Sequence, residues 1–68
     1  MKYAVVVERS PSGFAAYVPD LPGCVAAGGT RPEVERLIRE AIQFHLEGMR
    51  EDGDSIPAPT TGVDLVEV

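Results

Sequence analysis

Residues on one side of the segment 30–51 recur at intervals of three and four, the spacing that places side chains on one face of an α-helix. This face would carry Val34, Leu37, Ile38, Ala41, Ile42, His45 and Met49. Charged and polar residues fill the positions between them. The pattern therefore predicts one long amphipathic helix, with the rest of the chain built to cover its apolar side.

The ends of this helix carry their own signals. Thr30 can cap a free backbone amide while Glu33, three residues later, reaches back. Pro32 favours a different start, with Arg31 as the cap, because proline disfavours the helical conformation of the residue before it. Gly53 can adopt the left-handed conformation that closes a helix. We predict a helix over residues 30–51, capped by Thr30 or Arg31.

Two apolar runs before the helix predict a hairpin. Residues 2–9 are rich in valine on both phases, which is typical of a strand buried on both faces and therefore central in its sheet. A proline and a glycine in residues 10–13 favour a type I turn. Residues 14–18 alternate as a second strand. The two prolines of residues 19–23 then force the chain to reverse.

Residues 24–27 predict a short third strand that Gly28 and Gly29 connect to the helix. Beyond a proline-rich connector, residues 63–68 return to an alternating pattern and predict a fourth strand. The predicted fold is an α+β two-layer sandwich of order β-β-β-α-β. A mainly antiparallel four-stranded sheet would carry one helix packed on one face, with a core from the helix of Val34, Leu37, Ile38, Ala41 and Ile42.

The length and the net charge of the chain restrict the classes of function that it can have. A chain of 68 residues predicts a single domain near the lower size limit for a self-supporting core. Its formal net charge is -5, with no cluster of basic residues, so we expect no direct binding to nucleic acid. An acidic surface suits a basic protein partner or serves solubility. No segment is apolar and long enough to cross a membrane or act as a signal peptide, which favours a cytoplasmic protein.

Candidate catalytic side chains are sparse. His45 is the only histidine and lies on the apolar helix face, where packing is the preferred interpretation. Cys24 is the only cysteine, so the chain has no internal disulfide. It has no base nearby in sequence, and we interpret it as structural. Three scattered carboxylates, Glu8, Glu40 and Asp64, would have to converge to support a metal-dependent nuclease. We predict no catalytic residue, metal site or cofactor, and keep the nuclease as the alternative.

Several short motifs together resemble the HicB family of antitoxin domains from prokaryotic type II toxin-antitoxin systems. The most specific is Pro19-Asp20-Leu21-Pro22-Gly23-Cys24. The others are the valine-rich first strand, Gly13-Phe14, Gly29-Thr30, Ala41-Ile42, Gly53, Ile56-Pro57 and Pro59. The resemblance covers nearly the whole sequence.

This resemblance implies a partial ribonuclease-H-like fold with strand order 3-2-1-4. It also implies a non-enzymatic protein that neutralises a HicA-type toxin, a small basic ribonuclease acting on messenger RNA, by masking it. Many family members add a C-terminal DNA-binding segment, whereas residues 1–68 are expected to form a single HicB-like domain without one. The alternatives are the small metal-dependent nuclease and an orphan module that oligomerises and serves another partner.

Self-association is expected as well, as a homo-dimer or tetramer. A domain of this size buries a small share of its surface, so apolar burial between subunits has a large effect on stability. Apolar residues beyond the needs of one helix on one sheet supply the candidates. The predicted surface for self-association or partner binding consists of Tyr3, Tyr17, Phe44 and Leu46.

Overall fold

The computed structural model describes residues 1–68 as a three-stranded antiparallel sheet with one helix across it. The elements are β1 Val6–Ser10, β2 Gly13–Tyr17, β3 Val25–Gly28 and α1 Arg31–Glu51. The sheet order is β1-β2-β3, and the helix packs mainly on β2 and β3. The α+β architecture with a helix on one face is therefore confirmed.

The hairpin forms where the turn residues predicted it. β1 and β2 pair in a register that runs from Val6 opposite Tyr17 to Ser10 opposite Gly13. β3 continues the sheet, with Tyr17 opposite Val25. Side chains of alternate residues point to opposite faces of a sheet, so Val6, Tyr17 and Val25 share the face away from the buried Ala16.

Thr30 is the helix cap, which decides between the two predicted starts. Its Oγ1 accepts a hydrogen bond from the Glu33 amide at 3.2 Å, and Glu33 Oε1 accepts one from the Gly29 amide at 2.9 Å. Pro32 fits within the first turn, where a missing amide hydrogen costs nothing. At the other end Gly53 has φ 74°, and the Asp54 amide donates to the Met49 carbonyl, so the left-handed termination is confirmed.

The core consists of six buried residues contributed by the sheet, its β2–β3 connection and the helix. They are Ala16, Val18, Leu21, Cys24, Val34 and Ile38. Of the predicted helix core, Val34 and Ile38 are buried, whereas Leu37, Ala41 and Ile42 are half-buried. No helix is long and apolar enough to span a membrane.

The structure differs from the prediction at two strands. Residues 63–68 pair with no strand and are exposed, so the molecule has three strands rather than four and the predicted order 3-2-1-4 reduces to 3-2-1. The first strand begins at Val6 rather than residue 2, and it lies at the edge of the sheet instead of the centre. Valine on both phases predicted a strand with two neighbours, but this chain supplies one.

Three glycines meet where the hairpin turn approaches the start of the helix. A Cβ on Gly13, whose φ is 150°, would collide with the carbonyl oxygen of Gly28. A Cβ on Gly28 would lie 3.0 Å from the backbone nitrogen of Val34. Gly29, by contrast, has open space around it. The close approach of β2, β3 and the helix start therefore depends on Gly13 and Gly28.

We expect Gly13→Ala to lower the free energy of unfolding by about 1 to 3 kcal/mol, because both the backbone conformation and the space exclude a methyl group. Gly29→Ala is the matched control and should change it by less than about 0.5 kcal/mol. Urea titration of both variants measures the difference. Equal stability of the two variants would contradict the packing described for this corner.

We expect Ile38→Ala to cost about 2 to 5 kcal/mol, because Ile38 is 3% exposed and its removal leaves a cavity between helix and sheet. Gln43→Ala, on the exposed side of the same helix, should leave stability nearly unchanged. The measurement is again the midpoint of urea unfolding. A loss below about 0.5 kcal/mol for Ile38→Ala would show that this helix face is not core.

Candidate functional site

The four residues predicted for partner binding lie in different parts of the molecule. Tyr3 and Leu46 are half-buried and pack against the core. Tyr17 is 43% exposed on the sheet, and Phe44 is 79% exposed on the helix, which covers the opposite face of that sheet. The structure does not gather them into one patch, so each has to be assigned to a surface separately.

Tyr17 belongs to the sheet face that the helix leaves uncovered, which we name the open sheet face. Its outer row is Val6, Tyr17 and Val25 across the three strands, and the next row is Glu8, Ala15 and Ala27. Val25 is 63% exposed. Sequence reasoning missed Val25, although alternation from the buried Cys24 would have placed it outside. This face is a shallow apolar surface with one carboxylate beside it.

A second surface is a groove between the first strand and the helix, which we name the β1 groove. It has a cavity volume of about 690 Å³. Its floor and helix wall are apolar and its rim is charged, with lining residues Lys2, Tyr3, Val5, Val7, Arg31, Glu35, Ile38, Arg39 and Ile42. The groove exists because the helix packs mainly on β2 and β3 and leaves the inner face of β1 partly uncovered.

The rim of the β1 groove carries unbalanced positive charge. Glu35 forms an ion pair with Arg31, Nε to Oε2 3.5 Å, and not with Arg39, as the sequence spacing also allows. The other ion pair of the molecule joins Arg36 to Glu40. Arg39 and Lys2 therefore have no carboxylate partner. Surface pairs of this kind add little to stability, but the two free cations give the groove a preference for an acidic segment.

The Pro-Asp-Leu-Pro-Gly-Cys motif forms a tight connection between β2 and β3. The Val18 amide donates to the Cys24 carbonyl at 3.1 Å, and the Cys24 amide donates to the Leu21 carbonyl at 3.0 Å. Leu21 is completely buried, and Gly23 has φ 84°, a conformation that favours glycine. The motif thus turns the chain and inserts one side chain into the core.

Asp20, in the same connection, fixes the segment that follows the helix. Its Oδ2 accepts hydrogen bonds from the amides of Thr60 and Thr61, and its Oδ1 accepts from both threonine hydroxyls, at 2.8 to 3.1 Å. The backbone bond from Thr61, with the other three, lowers the pKa of Asp20 from 3.8 to about 2. The Tyr3 hydroxyl donates to the Pro57 carbonyl nearby along the segment. Sequence reasoning did not find these contacts, because they join residues far apart in the chain.

The candidate catalytic groups do not form a site. Glu8 lies on the open sheet face, Glu40 is paired with Arg36 on the helix, and Asp64 is exposed beyond the connector. No three histidine, cysteine or carboxylate side chains come together to hold a metal ion. Cys24 is buried, and its burial raises the pKa of the thiol, which disfavours the reactive thiolate. His45 is half-buried on the helix.

These features define a small α+β domain whose distinctive surfaces are apolar and suited to contacts with protein. Residues 3–67 match the model of a family described as the HicB-like antitoxin of bacterial toxin-antitoxin systems. The chain belongs to this family. The match includes the Pro-Asp-Leu-Pro-Gly-Cys connection, the open sheet face and all of the β1 groove except Lys2.

Individual relatives agree with the family. The chain is 35% identical over 69 residues to Antitoxin HicB 2 of Photorhabdus laumondii, covering 100% of this chain and 50% of the relative. It is 44% identical over 57 residues to a protein of Haemophilus phage HP1, covering 84% and 43%. A UPF0150 protein of Archaeoglobus fulgidus is 38% identical over 71 residues, covering 100% and 96%. The chain thus spans about half the length of the first two relatives.

A solved structure shares the fold. A chain of the HicA3 and HicB3 toxin-antitoxin complex superposes with a TM-score of 0.76 at 30% sequence identity. The alignment covers 88% of this chain and 70% of that chain.

We expect the hydrogen bonds that Asp20 accepts to be lost at low pH. A carboxylate with a lowered pKa stabilises the folded contact above its unfolded pKa of 3.8, and that contribution is lost as the pH falls toward about 2. In an NMR titration the amide shifts of Thr60 and Thr61 should therefore change with a midpoint near 2. Asp20→Asn should remove this titration, while the Leu21 methyl signals stay in place. A midpoint near 4 in the unmodified chain would contradict the hydrogen bonding described.

Proposed function

We propose that this protein is the antitoxin of a toxin-antitoxin pair and neutralises a HicA-type toxin by masking it. The observation that carries the proposal is the likeness to a chain of the HicA3 and HicB3 toxin-antitoxin complex, at 30% identity over 88% of this chain. Family membership over residues 3–67 supports it independently. The chain contributes binding and no chemistry of its own, consistent with the scattered positions of Glu8, Glu40 and Asp64.

The open sheet face is the surface we assign to the toxin. It offers a row of apolar side chains from three adjacent strands, of which Tyr17 and Val25 are exposed and Val6 is half-buried. The sheet holds the shape of this row, so little order is lost on binding. Tyr17 lies at the centre of the row, and tyrosine is enriched among residues that dominate binding energy. A net charge of -5 favours association with a basic partner and raises the rate of encounter.

Tyr17→Lys combined with Val25→Lys should weaken toxin binding by at least about 30-fold, because it removes two apolar anchors and repels a basic partner. Phe44→Lys is the control, since it adds positive charge at an exposed apolar site on the helix side. Calorimetry with a HicA-type toxin measures affinity, and an mRNA cleavage assay measures masking.

The two parts of the proposal fail separately in this experiment. Unchanged affinity of the double variant together with a loss for Phe44→Lys would move the toxin site to the helix. If the unmodified chain neither binds the toxin nor reduces mRNA cleavage, the antitoxin proposal itself is wrong.

A further inference from the structure

Glu8 is the only charged side chain that the three strands place on the open sheet face. The other strand residues of that face are Val6, Ser10, Gly13, Ala15, Tyr17, Val25 and Ala27. Glu8 is exposed, and the two ion pairs of the molecule use Glu35 and Glu40. This apolar surface therefore carries one carboxylate that has no cation beside it.

The basic residues of the chain lie on the other side of the sheet. Side chains of consecutive strand residues point to opposite faces, so Arg9 lies on the helix side with Val7. Lys2 lines the β1 groove, and the remaining four basic residues are on the helix. A cation that pairs with Glu8 on the open sheet face therefore has to come from another molecule.

Tyr17 adds an aromatic ring beside this carboxylate. Tyr17 is opposite Val6 in the register and Glu8 is opposite Ala15, so Glu8 and Tyr17 are diagonal neighbours. Diagonal neighbours are about 7 to 8 Å apart, which is within reach of long and aromatic side chains. Ala15 carries a single methyl group next to both, so a flat group from a partner can enter between the carboxylate and the ring.

A carboxylate beside an aromatic ring suits a cation, and arginine in particular. The face of a ring attracts a positive charge that lies within about 6 Å of its centre. A guanidinium group is planar and stacks on such a face, while its fork of N–H donors matches the two oxygens of a carboxylate. The ammonium group of lysine is compact and more strongly hydrated, so it gains less from this arrangement.

We propose that the open sheet face binds an arginine side chain of the toxin, with the guanidinium group between the Glu8 carboxylate and the Tyr17 ring. The inference rests on the antitoxin function proposed above and specifies the chemistry of the partner at this surface. Val6 and Val25 flank Tyr17 and shield the contact from water, which strengthens its hydrogen bonds. Arginine and tyrosine are both enriched among the residues that dominate binding energy, and such residues tend to pair across an interface.

The first test is the affinity of Glu8→Gln for a HicA-type toxin, measured by calorimetry. This substitution keeps the shape of the side chain and removes its charge, so the dissociation constant should rise about tenfold. Glu47→Gln is the matched control, because Glu47 is exposed on the helix and its replacement changes the net charge equally. It should change the constant by less than about twofold. Equal effects of the two substitutions would reduce Glu8 to a general attraction and overturn the proposal.

The second test asks whether Glu8 and Tyr17 contact the same group. Tyr17→Leu removes the ring but keeps an apolar side chain, whereas Tyr17→Phe keeps the ring and should bind nearly as tightly as the unmodified chain. Because one guanidinium group contacts both side chains, Glu8→Gln combined with Tyr17→Leu should lose less affinity than the product of the two single losses. Losses that simply multiply would contradict the shared contact.

The third test identifies the partner side chain. Exposed arginines of the toxin are replaced by lysine one at a time, and each variant is titrated into the unmodified chain and into Glu8→Gln. One replacement should weaken binding to the unmodified chain and have little effect on binding to Glu8→Gln. A toxin that binds but has no such arginine would overturn this inference alone. A toxin that does not bind the unmodified chain would overturn the antitoxin function and the inference with it.

Discussion

The contact between one helix face and strands β2 and β3 is the interaction on which the rest of the structure depends. Val34 and Ile38 bury against Ala16, and small residues in the sheet let the helix approach closely. Six residues make up the buried core, so each carries a large share of the stability. Because the helix is centred on β2 and β3, the inner face of β1 stays partly uncovered, and the β1 groove follows from this position.

The connection between β2 and β3 links the core to the remainder of the chain. Leu21 points into the core, while Asp20, one residue earlier, binds Thr60 and Thr61 on the outside. One turn therefore positions both a core side chain and the segment after the helix. This explains why a run as constrained as Pro-Asp-Leu-Pro-Gly-Cys is the most specific motif of the sequence: its prolines and glycine fix the backbone that both contacts require.

Local patterns predicted what local physics determines. The spacing of Val34 and Ile38 predicted the helix, and Gly53 predicted its end, because both depend on residues within one or two turns. The prediction of a fourth strand was wrong, because strand propensity describes a segment but does not say which strand it pairs with. The hydrogen bonds between Asp20 and Thr60 could not be predicted for a related reason, because the two residues are 40 positions apart in the chain. Tyr17 was predicted as part of a binding surface, whereas Val25 could be placed beside it only from the strand register.

The open sheet face, which we propose for the toxin, and the free edge of β1 are different surfaces of the fold. The open sheet face lies on one side of the sheet, whereas the β1 edge lies along its margin beside the helix. A strand added at the free edge of β1 would leave Tyr17 and Val25 uncovered. Strand addition at β1 would also lengthen the sheet and restrain the strand that carries Val6, the third member of that row. Such an addition would order part of the surface proposed for the toxin before the toxin binds, which would reduce the entropy lost on binding.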